Sequence, residues 1–261
     1  MIRSDFHLHT VFCDGRNTPL EMAESAVGKG FKAIGFSGHS YAPYDTDCCM
    51  DPKNTEKYRR VIASLKEEFS GKIDIYCGVE QDYYSPVSRK PFDYSIGSVH
   101  YLKTGCQYTS VDYTPQVLAG MRDDHFGGDI YALIEEYYRL VADVVNRTGC
   151  SIIGHFDLIS KFNEDGSFFD PRHPRYIAAS RDAADALLKY GIPFEINTGA
   201  IFRGYRSEPY PSLDLIRYIW SKNGRFILSS DAHCKDGIGF EFEKFFEMLS
   251  KEGIKIEEFC P

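Results

Sequence analysis

The sequence predicts an α/β fold built on a parallel sheet, and three observations carry that prediction. Short apolar runs alternate along the chain with longer stretches of helical periodicity. A strand, helix, strand alternation needs crossover connections, which lay helices over a parallel sheet. The chain has 261 residues, of which 43% are hydrophobic, enough for a substantial core. α/β barrels commonly run to about 200–250 residues as one unit. Periodicity leaves two arrangements open, a doubly wound sheet and a closed barrel.

Seven strands are expected, at residues 1–6, 33–37, 73–78, 94–99, 151–153, 193–196 and 226–229, each flanked by turn signals. The first helix is announced by Thr18-Pro19-Leu20-Glu21, a capping residue followed by Pro at the first helical position and an acidic first turn. It runs over 21–29 and stops at Gly30. Further helices are expected at 55–69, 129–147, 174–190, 212–222 and 240–251. Residues 102–128 contain Gly and Asp without a clean period and read as a loop with some local helix. No low-complexity segment or Pro/Gly/Ser linker divides the chain, so 1–261 reads as a single domain.

Thirty Lys+Arg stand against 38 Asp+Glu, a formal net charge of -8. That balance disfavours nucleic acid, whose binding needs a basic stripe, but leaves room for a small phosphorylated substrate held by local cations. No run of about 20 apolar residues marks a membrane span, and the opening residues lack a secretory layout. A cytoplasmic protein is expected. The eight cysteines include no Cys-x-x-Cys pair, so they read as reduced thiols and neither a thiolate zinc site nor a redox motif is expected.

The positions of the histidines carry the most information. His7 and His9 follow the first expected strand, His39 the second, His100 the fourth, His155 the fifth and His233 the last. Glu80 follows the third strand and Asp231 the last. In parallel α/β folds that edge of the sheet is where active sites form. Any one of these residues alone fits packing or a solvated turn, but clustered imidazoles and carboxylates are satisfied together by divalent ions. Nitrogen and carboxylate donors suit Zn, Mn or Fe. With Asp14 nearby, the set exceeds the about 4–6 ligands of one ion, so two or three ions are expected. His125 and His173 follow no strand and are expected at the surface.

The segments Asp5-Phe6-His7-Leu8-His9-Thr10, Gly38-His39-Ser40, Gly78-Val79-Glu80, Gly97-Ser98-Val99-His100, Gly154-His155-Phe156-Asp157 and Ser230-Asp231-Ala232-His233 resemble, in order, the metal-binding motifs of the polymerase-and-histidinol-phosphatase (PHP) superfamily. The stretches 94–102 and 195–199 resemble its histidinol-phosphatase branch. The resemblance implies a distorted seven-stranded (β/α)7 TIM-like barrel with a trinuclear metal site at the C-terminal ends of the strands. It implies one ion on His7, His9, Glu80 and Asp231, a second on Glu80, His100 and His155, and a third on Asp14, His39 and His233. Asp14 stands where some relatives carry histidine, and Cys13-Asp14-Gly15 also reads as a turn.

The activity implied is hydrolysis of L-histidinol phosphate to L-histidinol and phosphate, a step of histidine biosynthesis. The expected chemistry is attack by a metal-bridging hydroxide, with Glu80, Asp231 and His233 as the catalytic residues. Phosphate contacts are expected from Lys161, Arg203, Arg206 or Arg16. Tyr41, Tyr44, Tyr83, Tyr84, Tyr101, Phe202 and Tyr205 are candidates to wall an imidazole-sized pocket. Three other readings are open: a PHP phosphoesterase acting on another small ester or nucleotide, an amidohydrolase-type metal hydrolase, and a non-catalytic metal-binding module.

Overall fold

The computed structural model describes residues 2–261. Seven parallel strands form one sheet: β1 (Ser4–Leu8), β2 (Ala33–Phe36), β3 (Asp74–Asp82), β4 (Tyr94–Ser98), β7 (Ile152–Ile153), β8 (Phe194–Asn197) and β9 (Phe226–Ser229), hydrogen-bonded in that order. A parallel bridge between Leu8 and Ala232, made by His9 N to Ala232 O at 2.9 Å and Ala232 N to His7 O at 3.1 Å, brings the last strand back to the first. The sheet is therefore a nearly closed barrel, which periodicity alone left undecided. All seven expected strands are present in the described residues; expected position 1 lies outside them.

Helices cover the barrel for reasons visible in the sequence. Thr18 caps α1 (Pro19–Gly28) in a full capping box with Glu21. Asp51 and Pro52 start α2 (Pro52–Glu68) a turn earlier than the expected 55, because Asp51 accepts the Asn54 amide at 2.6 Å. Asp129 caps α4 (Ile130–Thr148), and Gly149 ends it in the left-handed region at φ 65°. After α5 (Pro174–Leu188) come the short α6 (Gly199–Phe202), then α7 (Leu213–Ser221) and α8 (Phe242–Lys251).

Two expectations need correction. Residues 102–128 hold more regular structure than a loop. A hairpin of β5 (Tyr101–Thr104) and β6 (Gln107–Ser110) turns at Gly105, φ 62°, and the eleven-residue α3 (Pro115–His125) follows. The alternation there is too short, and Gly105 too prominent, for periodicity to register strands. His173 is not a bare surface residue: its ring accepts the Arg175 amide as the cap of α5 and stacks on Tyr131 at 3.9 Å. His125, at the end of α3, is exposed as expected.

The barrel interior is filled from one side by Tyr94, which lies against Phe6 edge-on at 5.3 Å and donates its hydroxyl to Phe6 O at 2.6 Å and Phe36 O at 3.2 Å. The ring occupies the space that side chains at 35 and 78 would need. A Cβ at either position would fall 2.2 Å from a Tyr94 atom, so glycine there is a condition of closure. Phe259 seals the end opposite the histidines, packing at 5.1 Å from Phe6 and 5.9 Å from Tyr94, while Arg225 grips Glu257. Among the described residues no helix is long and apolar enough to cross a membrane.

Overfilling this interior has a measurable consequence. Gly78→Ala is expected to destabilise the fold by about 1–3 kcal/mol, read as a lowered denaturation midpoint. Gly28→Ala, whose Cβ would meet nothing within 4 Å, is the neutral control. Equal midpoints for the two variants would show that Tyr94 does not fill the barrel as described.

Candidate metal centre and active site

Every strand of the barrel delivers polar groups to the same rim. His7 lies within β1 and His9 one residue beyond it, flanking Leu8, which points into the apolar layer under α1 and α2. Period-two alternation thus puts both rings on one side, centroids 5.1 Å apart. Glu80 lies inside β3 rather than beyond it, because the β3–β4 pairing continues to Asp82 and Ser98. His39, His100 and His155 follow β2, β4 and β7. Asp231 and His233 follow β9, with Asp231 in the left-handed region at φ 49°, a costly conformation for a residue with a side chain.

Glu80 is the hub. Its Oε2 faces His7 Nε2 at 3.3 Å, His9 Nε2 at 3.5 Å and His39 Nδ1 at 2.9 Å, and its Oε1 faces His100 Nε2 at 3.2 Å and His155 Nε2 at 2.8 Å. Asp231 Oδ1 lies 3.3 Å from His9 Nε2 and 3.7 Å from His7 Nε2. Asp14 completes the other side, 3.0 Å from His233, 3.5 Å from His9 and 3.6 Å from His39. A tight turn aims it there: Cys13 N and Gly15 N both donate to Thr10 O, and a Cβ at 15 would sit 2.4 Å from Thr10 N. The turn reading and the ligand reading of Asp14 are therefore the same feature.

Three groups of donor atoms come within ligating range of one another: His7, His9 and Glu80; His39, Glu80 and His100; and His9, Asp14, His39 and His233. This partition differs from the expected one: His39 and His9 each reach two groups, and Asp231 and His155 belong to none of the three, although Asp231 approaches His9 and His155 approaches Glu80. The residues fit a metal centre on their own terms. His7 Nε2, His9 Nε2 and Glu80 Oε2 are buried without a hydrogen-bond partner, a costly arrangement unless a cation satisfies them.

Imidazoles and carboxylates in the cluster are strongly coupled. Burial opposes ionisation of Glu80, but His39, His100 and His7 outweigh it and hold the carboxyl well below the usual range. Burial pulls His100 down, yet Glu80 and Asp82 lift it to about 10. His9, buried and surrounded by His233 and His39, falls to about 3, the neutral form a metal ligand needs. Cys48 and Cys49 line the same cavity, but burial pushes them to about 11 and about 12, so they stand as neutral thiols rather than thiolate donors.

A shell of residues that sequence reasoning missed holds the histidines in place. Glu195 is fully buried on β8; its Oε2 lies 2.8 Å from His7 Nδ1 and its Oε1 accepts the His155 amide at 2.5 Å. Asp82 accepts the His100 amide at 2.9 Å and faces His100 Nδ1 at 3.5 Å. Ser98 donates to Glu80 Oε1 at 2.7 Å. The available signal was a carboxylate inside an otherwise apolar strand, Phe194-Glu195-Ile196, which has no place in a barrel wall unless something inside binds it.

His39, His100, His155 and His233, with Asp14, Glu80 and Asp231, line a cavity of about 290 Å³, and His7 and His9 lie buried beneath it. Of the four expected phosphate cations, Arg203 and Lys161 line it. Arg203 donates to the Asp231 carboxylate at 3.0 Å and to the Asp231 carbonyl at 2.9 Å; Lys161 donates to the Asp112 carboxylate at 3.0 Å and carbonyl at 2.7 Å. Arg206 is turned away, donating to Ser160 and lying 5.2 Å from the Tyr210 ring, and lines a separate cavity. Arg16 is exposed and outside the cavity. Of the seven candidate aromatics only Tyr101 and Tyr205 line it. Tyr44 braces Tyr101 edge-on at 4.9 Å, and Tyr83 and Phe202 turn outward to Asp143 and Phe240. Tyr113, not among the candidates, stands at the rim, where the hairpin brings it.

Comparison with known proteins agrees with this architecture. The PHP domain matches residues 5–199. A protein of Deinococcus radiodurans named "Probable histidinol-phosphatase" is 32% identical over 250 residues, 91% of this chain and 89% of the relative. The histidinol-phosphatase of Bacillus subtilis is 28% identical, over 95% of this chain and 99% of its own. In three dimensions the chain is similar to the histidinol phosphate phosphatase of Lactococcus lactis, solved with Zn, L-histidinol and phosphate. The TM-score is 0.68 at 22% identity, covering 99% of this chain and 97% of that one. With three quarters of its length inside the matched region, the chain belongs to the PHP domain family.

Proposed function

We propose that the chain is a metal-dependent phosphomonoesterase that hydrolyses L-histidinol phosphate to L-histidinol and inorganic phosphate. The observation that carries this reading is the convergence of six histidines with Glu80, Asp14 and Asp231: His39, His100, His155 and His233 line the cavity, His7 and His9 lie buried beneath them, and ring nitrogens of His7, His9 and His155 are buried without a hydrogen-bond partner. The names of the Deinococcus and Bacillus relatives, and the histidinol and phosphate bound by the Lactococcus protein, support the choice of substrate.

In this reading two or three divalent ions are held by His7, His9, Glu80 and Asp231, by Glu80, His100 and His155, and by Asp14, His39 and His233. Zn, Mn and Fe are the candidates. When bound, such ions neutralise phosphoryl charge and acidify water. Arg203 presents its guanidinium to the ester's phosphate, with Asp231 fixing its orientation. Lys161 contributes less, because Asp112 neutralises its charge. Burial resists ionisation of Asp231, but Arg203 and His7 keep it anionic, so it can offer one oxygen to an ion while the other holds Arg203.

The deciding experiment is phosphate release from a panel of phosphomonoesters by the chain as purified, after chelation, and after reloading with Zn, Mn or Fe. The expected result is metal-dependent release with preference for L-histidinol phosphate; full metal occupancy without turnover of any ester would leave a binding module instead. Glu80→Ala is expected to lower kcat by at least about 10²-fold with the fold retained, while His125→Ala changes little. Equal activities for these two variants would contradict the hub role of Glu80.

The residues behind the ligands have their own expected signature. Glu195→Gln is expected to weaken metal affinity by about 10–100-fold, measured as the metal concentration that restores half of maximal activity to the apoprotein. Full activity at saturating metal distinguishes this from misfolding, and an unchanged midpoint would remove Glu195 from the centre.

A further inference from the structure

Once the metal ligands are set aside, the cavity wall has an uneven charge. Asp45, Asp82 and Asp112 line it against only Lys161 and Arg203, and Lys161 is tied to Asp112 while Arg203 is tied to Asp231. For a site that takes an anion this excess of carboxylate is unexpected. Asp45 accepts from Tyr101, and Asp82 from Tyr44 and the His100 amide; Asp112 stands with Tyr113 just after the hairpin strand β6. Asp112 is fixed, its Oδ1 accepting from Ser110 Oγ at 2.9 Å and its Oδ2 from Lys161 at 3.0 Å. Burial would raise its pKa, but Lys161 and His100 hold it at about 2, so it is a carboxylate throughout the physiological range.

Tyr113 beside it is 74% exposed, the most exposed large hydrophobic side chain among the described residues, yet it lines the cavity. A tyrosine left this open at the mouth of a site has its ring face free for a ligand. Tyr205, 43% exposed, also lines the cavity, its ring 4.9 Å from the Lys161 ammonium. The metal floor and Arg203 suit a phosphate; the Asp112–Tyr113 wall suits a positively charged, nitrogen-bearing end.

Resting on the phosphatase reading, we propose that Tyr113 and Asp112 are the specificity element of the site: Tyr113 covers the cationic nitrogen end of a small phosphate ester whose phosphate lies over the histidine cluster, and the Asp112 carboxylate, shared with Lys161, accepts hydrogen bonds from that end. Because Lys161 pins Asp112 to the loop after β7, which also carries His155, the two ends of the ligand are held by one connected frame. The wall then discriminates against esters of equal phosphate chemistry but no cationic group, since these would leave its carboxylates facing apolar matter.

The test compares kcat and KM for L-histidinol phosphate with those for propyl phosphate, which has neither ring nor amine, using the metal-loaded chain. The wild-type protein is expected to prefer L-histidinol phosphate. Tyr113→Ala is expected to reduce that preference about tenfold, the order of one stacking or cation–π contact, through KM rather than kcat, while Tyr113→Phe keeps it. Asp112→Asn is expected to reduce the preference in the same direction. Equal kcat/KM for the two esters in the wild-type protein would overturn this inference and leave the phosphatase reading standing; so would an unaltered preference in Tyr113→Ala. Failure of the metal-loaded wild-type protein to hydrolyse either ester would overturn both.

Discussion

One buried carboxylate governs this structure. Glu80 sits in the barrel wall with five imidazole nitrogens facing its two oxygens, and an ionised group so far from water is tolerated only among compensating positive charge. Its position on β3 makes it a common neighbour for side chains leaving β1, β2, β4 and β7. The strand order therefore sets the electrostatics: any other order would separate the imidazoles that face this carboxylate. The hydrogen bonds of Glu195, Asp82 and Ser98 are the means by which the scaffold keeps rings and carboxylate in register.

Much of this was legible in the chain because metal chemistry and parallel-sheet architecture constrain the same positions. His7, His9, His39, His100, His155 and His233 declared themselves by falling at strand ends, and Glu80 and Asp231 by standing among them. Asp14 was legible as a residue but ambiguous in role; the Thr10–Gly15 turn carries its carboxylate to His9, His39 and His233, so the turn and the approach to the cluster go together. What stayed hidden was whatever depends on a side chain's direction rather than its address. Glu195 reads as one acid in a strand until its partner across the barrel is known. Arg203 and Arg206 are three residues apart yet serve different cavities. Asp112 and Tyr113 fell in a stretch whose period was too short to read, so the hairpin that carries them to the site left no clear trace.

The glycines show the same division. Gly30 and Gly149 mark helix ends by local conformation and were readable as punctuation. Gly35 and Gly78 exist because Tyr94, far along the chain, needs their volume, and nothing local announces that. Short-range physics reaches the reader through pattern; long-range packing does not.

The seam of the barrel carries a consequence for the order in which the protein comes into being. The first strand made is completed by contacts to Ala232, and Phe259 plugs the base beneath it. His7 and His9 emerge long before Ala232 and the other residues that finish their surroundings. The rim that gathers these histidines is therefore assembled late, when β9 docks against β1.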